Sequence, residues 1–204
     1  MLVKWIFFDV GTTIVNEEKA YNHRVYDMIK GTNITFEEFN NKRIELARQG
    51  KDGNNAAIKF FNINKTAWHS EDEILYEDTV DVLEYLTNKG YKLGVIANQK
   101  TGLKNRLEEF GILKYFDIVI ASEEVGVSKP DKKIFNLALS KVKCIPQECI
   151  MIGDRLDNDI LPAIQISMKT IWVKQGLAKY QNNISIEENI DYIVNNLTEL
   201  KKYL

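Results

Sequence analysis

Cysteine and histidine are scarce in this chain of 204 residues: Cys144, Cys149, His23 and His69 are all it has. A closed zinc site needs a tetrahedral set of such ligands at tight spacings. The two cysteines, separated by four residues and without a second pair, do not supply one, and reduced, partly buried thiols are expected. An excess of charge of one sign is lacking as well. The 27 lysines and arginines stand against 29 aspartates and glutamates, a net charge of −2 that leaves no electrostatic footprint for nucleic acid. Long apolar runs are also missing. The opening stretch from Met1 to Phe8 is too short for a secretory signal and is stopped by Asp9. Nothing approaches the ~20 apolar residues of a membrane span, so a cytoplasmic protein with no membrane partner is expected. Internal repeats and low-complexity tracts are absent.

Apolar material is present in short portions. Runs at residues 2–8, 92–97, 117–121, 149–152 and 169–173 have strand length and are rich in β-branched or aromatic residues. Helical spacings lie between the later runs: Leu103, Leu107 and Phe110, then Ile134, Leu137 and Ala138, then Ile160, Ala163 and Ile164. This alternation predicts an α/β fold, a parallel sheet with helices on both faces. The length and a composition of 45% hydrophobic and 27% charged residues suit one sizeable core with one insertion. The insertion is residues 16–78, which carry several helical patterns and no convincing strand. Thr35 to Glu38 and Ser70 to Glu73 have the spacing of a capping box, and Gly31, Gly50 and Gly53 supply breaks. Tyr21, Tyr26, Phe36 and Phe39 read as its core, and His23, Trp68 and His69 as packing residues rather than substrate contacts. A further helix is expected over 79–89, striped by Val82, Leu83 and Leu86 and closed at Gly90. After Gly176 the chain is polar and ends in an amphipathic piece, 194–204, expected at the core edge.

Ligands of open parallel sheets bind outside the carboxyl ends of the strands, and the polar residues of this chain collect there. Asp9 follows the first run, Asn98 the second, Ser122 and Glu123 the third, and Gly153-Asp154 the fourth, with Lys129 in the loop after the third. An apolar strand that ends in one carboxylate and a small, hydroxyl-bearing turn, Asp9 to Thr13, can present a nucleophile to phosphate. From Asp154 to Asp159 three carboxylates fall within six residues. Such crowding is costly unless a cation neutralises it. Magnesium, which favours one or two carboxylates, waters and a phosphate oxygen, suits Asp9 and Asp154 converging from adjacent strands. A plainer reading has Asp157 and Asp159 capping the next helix at the positive end of its dipole.

Four motifs cover most of the chain: Asp9 to Thr13, Val95 to Asn98, Lys129 before Pro130, and Gly153-Asp154 with Asp159. Through their order and spacing the chain resembles the haloacid dehalogenase superfamily of hydrolases, in the branch with a helical cap inserted after the first strand. The resemblance implies a Rossmann-like core of residues 1–15 and 79–204, with strand order 5-4-1-2-3 when the five runs are numbered along the chain. Residues 16–78 would form an α-helical cap that opens and closes over the site. It also implies Mg2+-dependent hydrolysis of a small phosphorylated compound, with Asp9 as the nucleophile that forms an aspartyl-phosphate. The metal would be held by Asp9, the backbone carbonyl of Gly11 and Asp154, supported from behind by Asp159 or, failing that, Asp157. Lys129 would neutralise Asp9 and the phosphoryl oxygens, and Thr13, Asn98 and Lys129 would bind the substrate. Thr13 could equally serve only to satisfy its loop.

Two positions depart from the family pattern. The family's second aspartate, two residues past the nucleophile and acting as general acid and then base, is here Gly11. Such proton transfer is worth roughly 100-fold to 10,000-fold, so a slow or atypical enzyme is expected. Ala97 stands where a serine or threonine usually binds phosphate, which leaves the side-chain amide and backbone of Asn98. The alternatives are a phosphometabolite-binding or regulatory protein that has lost turnover, or a phosphonate-cleaving hydrolase with Lys42, Lys51 or Lys59 as Schiff-base lysine. The metal-free dehalogenase branch is disfavoured by Asp154 and Asp159.

Overall fold

A central parallel strand is buried on both faces and so needs consecutive apolar residues. The computed structural model, which describes residues 2–181 and 187–204, opens on such a strand, β1 (Trp5–Phe8), with Ile6, Phe7 and Phe8 fully buried. The chain then leaves the core through β2 (Val15–Asn16). It runs through α1 (Glu18–Ile29), α2 (Phe36–Arg48) and α3 (Gly53–Phe60). It returns through β3 (Ile74–Leu75), antiparallel to β2, with Val15 opposite Leu75 and Asn16 opposite Ile74. The return is pinned where the N–H of Tyr76 and the hydroxyl of Thr79 both donate to the Ile14 carbonyl, at 3.3 and 2.8 Å.

Helices and strands alternate from there. The order is α4 (Thr79–Asn88), β4 (Lys92–Ala97), α5 (Leu103–Glu109), β5 (Ile118–Ala121), the short α6 (Ser122–Val125) and α7 (Lys132–Val142). Then come β6 (Cys149–Gly153), the short α8 (Leu161–Ile164), β7 (Lys169–Val173) and β8 (Tyr192–Val194). The strands form one parallel sheet in the order β5-β4-β1-β6-β7-β8. The fold is α/β and Rossmann-like, and the five expected strands keep their expected order. The difference is a sixth strand, β8, at the edge beyond β7. With three residues, two of them exposed, it offers no apolar run to recognise. One sheet face carries the largest apolar cluster, with Phe8, Val95 and Ile152 under Leu83 and Leu86 of α4 and Leu107 of α5. The other packs Phe7, Ile96 and Met151 beneath Ile134 and Phe135 of α7. Leu197 and Leu200 of the last turn bury themselves in the first cluster.

Helices α1 to α3 surround their own apolar cluster of Val25, Met28, Phe39, Leu46 and Ala57. Thr35 and Glu38 form the capping box that starts α2. Ser70 does not open a helix: residues Ser70–Asp72 make a single tight turn with no side-chain cap. Glu73 instead accepts from Trp68 Nε1 and pairs with Arg106, both at 2.6 Å, and the chain passes straight into β3. Tyr26 lies outside the cluster, 57% exposed and stacked on Phe36. Both cysteines are free, and Cys149 is buried. Among the described residues no helix is long and apolar enough to cross a membrane.

Phe39 is 1% exposed and stacks on Phe61 at 5.7 Å. Phe39→Ala is expected to cost about 3–5 kcal/mol through lost burial and the cavity left behind, measured as a fall in the urea midpoint.

Candidate active site

Six parallel strands present their carboxyl ends along one edge, and the polar residues that follow β1, β4 and β6 meet there. Asp9 continues β1, with its N–H on the Ile152 carbonyl at 2.9 Å. The chain then turns tightly, so that the N–H groups of Thr13, Ile14 and Val15 converge on the Val10 carbonyl at 3.3, 3.0 and 3.0 Å. This turn buries Thr13 completely and aims its hydroxyl at Asp9 Oδ2 and Asp154 Oδ1, 3.5 and 3.4 Å away. Thr13 therefore serves the two carboxylates.

Lys129 reaches the same point from the loop after β5. Its Nζ lies 2.6 Å from Asp9 Oδ1 and 2.6 Å from Asp159 Oδ1. Asn98, at the end of β4, holds the backbone of Lys129 from both sides. It accepts from the Lys129 N–H and donates to the Lys129 carbonyl, each at 2.8 Å. Its side chain is thus engaged in positioning Lys129, at the margin of the cavity described below. Ser122 and Glu123 are directed instead to the segment after β4, through the Gln99 carbonyl and the Thr101 N–H.

At the end of β6 the approach is so close that position 153 has no room for a side chain. A Cβ there would sit 2.5 Å from the Cβ, Cγ and Oδ2 of Asp159. Asp154 is fixed through its carbonyl, which accepts the Trp172 indole N–H at 2.7 Å. Asp159 accepts the Arg155 N–H at 3.0 Å. Asp157 stands apart, gripped by the Arg155 guanidinium at 3.0 and 2.6 Å. That guanidinium also reaches Asp52, the N-cap of α3, at 2.9 Å.

Asp9, Asp154 and Asp159 can offer oxygens all within 4.8 Å of one another. Asp154 and Asp159 are buried, and the ammonium of Lys129 pairs with Asp9 and Asp159. Burial, Asp159 and Asp9 together push the Asp154 carboxyl well above the usual carboxylate range. Burial likewise raises Asp159, aided by Asp9 and opposed by Lys129. Burial alone would lower Lys129, but Asp159 and Asp9 outweigh it and its pKa is raised. Three carboxylates around one ammonium leave an excess of negative charge, and a hard cation with oxygen ligands fits that donor set.

The cluster opens on a cavity of about 900 Å³ between the sheet edge and helices α1 to α3. Tyr21, Arg24, Arg43, Lys51 and Trp68 face it from the inserted segment. Tyr21 meets Trp68 edge to face at 4.7 Å, and Arg24 lies over the indole. Arg43 is held by amide oxygens, Asn40 at 2.8 Å and Asn54 at 3.3 Å. Lys42 and Lys59 lie outside the lining, as do His23 and His69, which stack on each other at 3.5 Å.

Glu17 joins the site with no sequence motif pointing to it. It is 9% exposed and lines the cavity beside Gly11. A Cβ on Gly11 would lie 2.5 and 2.8 Å from the two Glu17 carboxylate oxygens and 2.8 Å from their carbon. The Thr12 hydroxyl is 3.5 Å from Glu17 Oε2, and Arg106 Nη2 is 3.8 Å from Oε1. Burial, then Glu73 and Asp9, push the Glu17 carboxyl up to about 8. Next to Glu18 it reads as an ordinary acid at a helix start. The signal that could have found it is the side chain missing from Gly11.

Comparison with known proteins matches residues 6–173 to the haloacid dehalogenase-like hydrolases. A glyceraldehyde 3-phosphate phosphatase of Methanocaldococcus jannaschii is 32% identical, over 98% of this chain and 96% of its own. Another protein of that name, from Methanothermobacter thermautotrophicus, is 28% identical over the whole of both chains. Among solved structures, a HAD phosphatase from Thermococcus onnurineus superimposes with a TM-score of 0.68 and 27% identity, over 98% of this chain and 97% of that one. With the matched region running from the first strand through the last of the five expected ones, the chain belongs to the haloacid dehalogenase-like hydrolases.

Proposed function

We propose that this hydrolase is a magnesium-dependent phosphatase acting on a small phosphorylated compound, of the size class named for its archaeal relatives. The observation that carries the reading is Asp9. It stands at the end of β1, faces the cavity, and its carboxylate is held 2.6 Å from the Lys129 ammonium. In this reading an Asp9 oxygen attacks phosphorus, the ester oxygen leaves, and water then releases phosphate from the aspartyl-phosphate. Lys129 holds Asp9 in place and balances the phosphoryl oxygens, an electrostatic role that dominates phosphoryl transfer. Asp9, the Gly11 carbonyl and Asp154 would hold Mg2+, with Asp159 behind them. The bound ion would supply charge neutralisation at the transferring group. Residues 16–78 act as the cap: Arg24, Arg43 and Lys51 line the far wall of the cavity and give it a positive surface suited to an anionic substrate. Phosphonate cleavage draws no support from the lysines. Lys51 is exposed, and burial is the usual route to a Schiff-base amine.

Phosphate release from a panel of monoesters is expected to need Mg2+. It should fall to the background without enzyme in EDTA and in Asp9→Asn.

Metal affinity has its own readout. Because the folded protein raises Asp154 above its unfolded value, the metal-free fold binds that proton more tightly than the unfolded chain does. Its contribution is favourable at low pH and is lost as pH rises through and above the usual carboxylate range. At neutral pH without metal, Asp154→Asn should therefore raise the melting temperature. Magnesium at 100 times its dissociation constant should add about 2.7 kcal/mol, roughly 5–10 °C, to the native protein and nothing to the variant.

A further inference from the structure

Gly11 has no side chain, but the space beside it is filled. The point where a Cβ would stand is 2.5 Å from Glu17 Oε1 and 2.8 Å from Oε2. The carboxyl carbon is also 2.8 Å away, so the group lies side-on against that point. The Glu17 carboxylate thus stands where a side chain at position 11 would begin, reaching it from the residue directly after β2. It faces the same cavity as Asp9 and Lys129.

The surroundings hold it there. Arg106, on α5, pairs with Glu73 at 2.6 Å and stands 3.8 Å from Glu17. Glu73 is fixed in turn by the Trp68 indole at 2.6 Å. The Thr12 hydroxyl faces the other oxygen of Glu17 at 3.5 Å. Glu17 and Glu73 flank the two crossing strands, one just past β2 and the other just before β3, and share one guanidinium between them. As Glu17 follows Asn16 directly, a buried carboxylate here is the outcome of a specific backbone path.

We infer that Glu17 is the general acid and base of this site, taking from the neighbouring element the task that residue 11 cannot perform. The inference rests on the phosphatase reading. In the first step Asp9 bonds to phosphorus as the ester P–O bond breaks, and the departing oxygen takes the Glu17 proton and leaves as the alcohol. In the second step the Glu17 carboxylate accepts a proton from the water that attacks the aspartyl-phosphate. The acyl phosphate P–O bond breaks, and Asp9, protonated Glu17 and free phosphate result.

The test compares an alkyl phosphate, whose leaving group needs a proton, with 4-nitrophenyl phosphate, whose leaving group does not. Glu17→Gln should lower kcat/KM for the alkyl ester by roughly 100-fold to 10,000-fold and for the aryl ester far less. With the aryl ester it should also release a burst of nitrophenolate as phosphorylated Asp9 accumulates, because the second step still lacks its base. A second variant guards against misfolding: Gly11→Asp combined with Glu17→Gly should restore the alkyl ester activity that Glu17→Gly loses. Gly11→Asp alone, which collides with Glu17, should gain nothing. Equal losses on both esters, no loss on the alkyl ester, or no recovery in the double variant would overturn the assignment. Native protein that releases phosphate from neither ester would instead remove the phosphatase reading, and the assignment with it.

Discussion

Three carboxylates crowded together, two of them paired with one buried ammonium, are the constraint to which the carboxyl edge of the sheet answers. Like charges at that separation repel strongly where water is excluded, and the parallel sheet brings them together regardless, because β1 and β6 end side by side. Much of the nearby sequence holds the arrangement still. Asn98 clamps the backbone of Lys129, Trp172 takes the Asp154 carbonyl, Thr13 turns its hydroxyl inward, and Gly153 vacates the space Asp159 needs. A buried charge cluster contributes little to stability by itself. The two apolar layers on either side of the sheet offset its cost, and the cluster can therefore stay poised for ligands instead of being relaxed by solvent.

The rest of the site follows from where positive charge is placed. Lys129 is consumed inside the cluster, while the guanidinium and ammonium groups of the inserted segment face the cavity from the opposite wall. Arg155 joins the two sides by gripping Asp157 beside the cluster and Asp52 at the start of α3. Positive groups on the far wall thus face the carboxylate cluster across the cavity.

Much of the architecture was legible because long physical signals carry it. Apolar runs of strand length, a regular alternation with helical spacings and polar residues at the strand ends locate five strands and their carboxyl edge. The structure brings Asp9, Lys129, Asp154 and Asp159 to that edge from loops scattered along the sequence, and leaves Asp157 paired with Arg155. What escaped was carried by short or indirect signals. β8 has too few residues to show a period, and β2 and β3 have two each. Ser70 to Glu73 has the spacing of a cap, but spacing does not reveal that Glu73 is claimed by Trp68 and Arg106. Glu17 escaped because its significance depends on a close approach to Gly11, and no one-dimensional pattern encodes a side chain filling the space of another residue.

The pairing of β2 with β3 has a consequence for how such a protein can change over generations. Since the outgoing and returning chains are neighbours, the gap that residues 17–73 must bridge is one strand spacing however many residues fill it. Closing a loop costs free energy only as the logarithm of its length. The segment can therefore be lengthened, trimmed or rebuilt while the sheet register and the carboxylates at its edge stay as they are. The carboxylate cluster and the inserted helices are thus carried by separate stretches of this chain, and Glu17, the first residue past β2, sits on the seam between them.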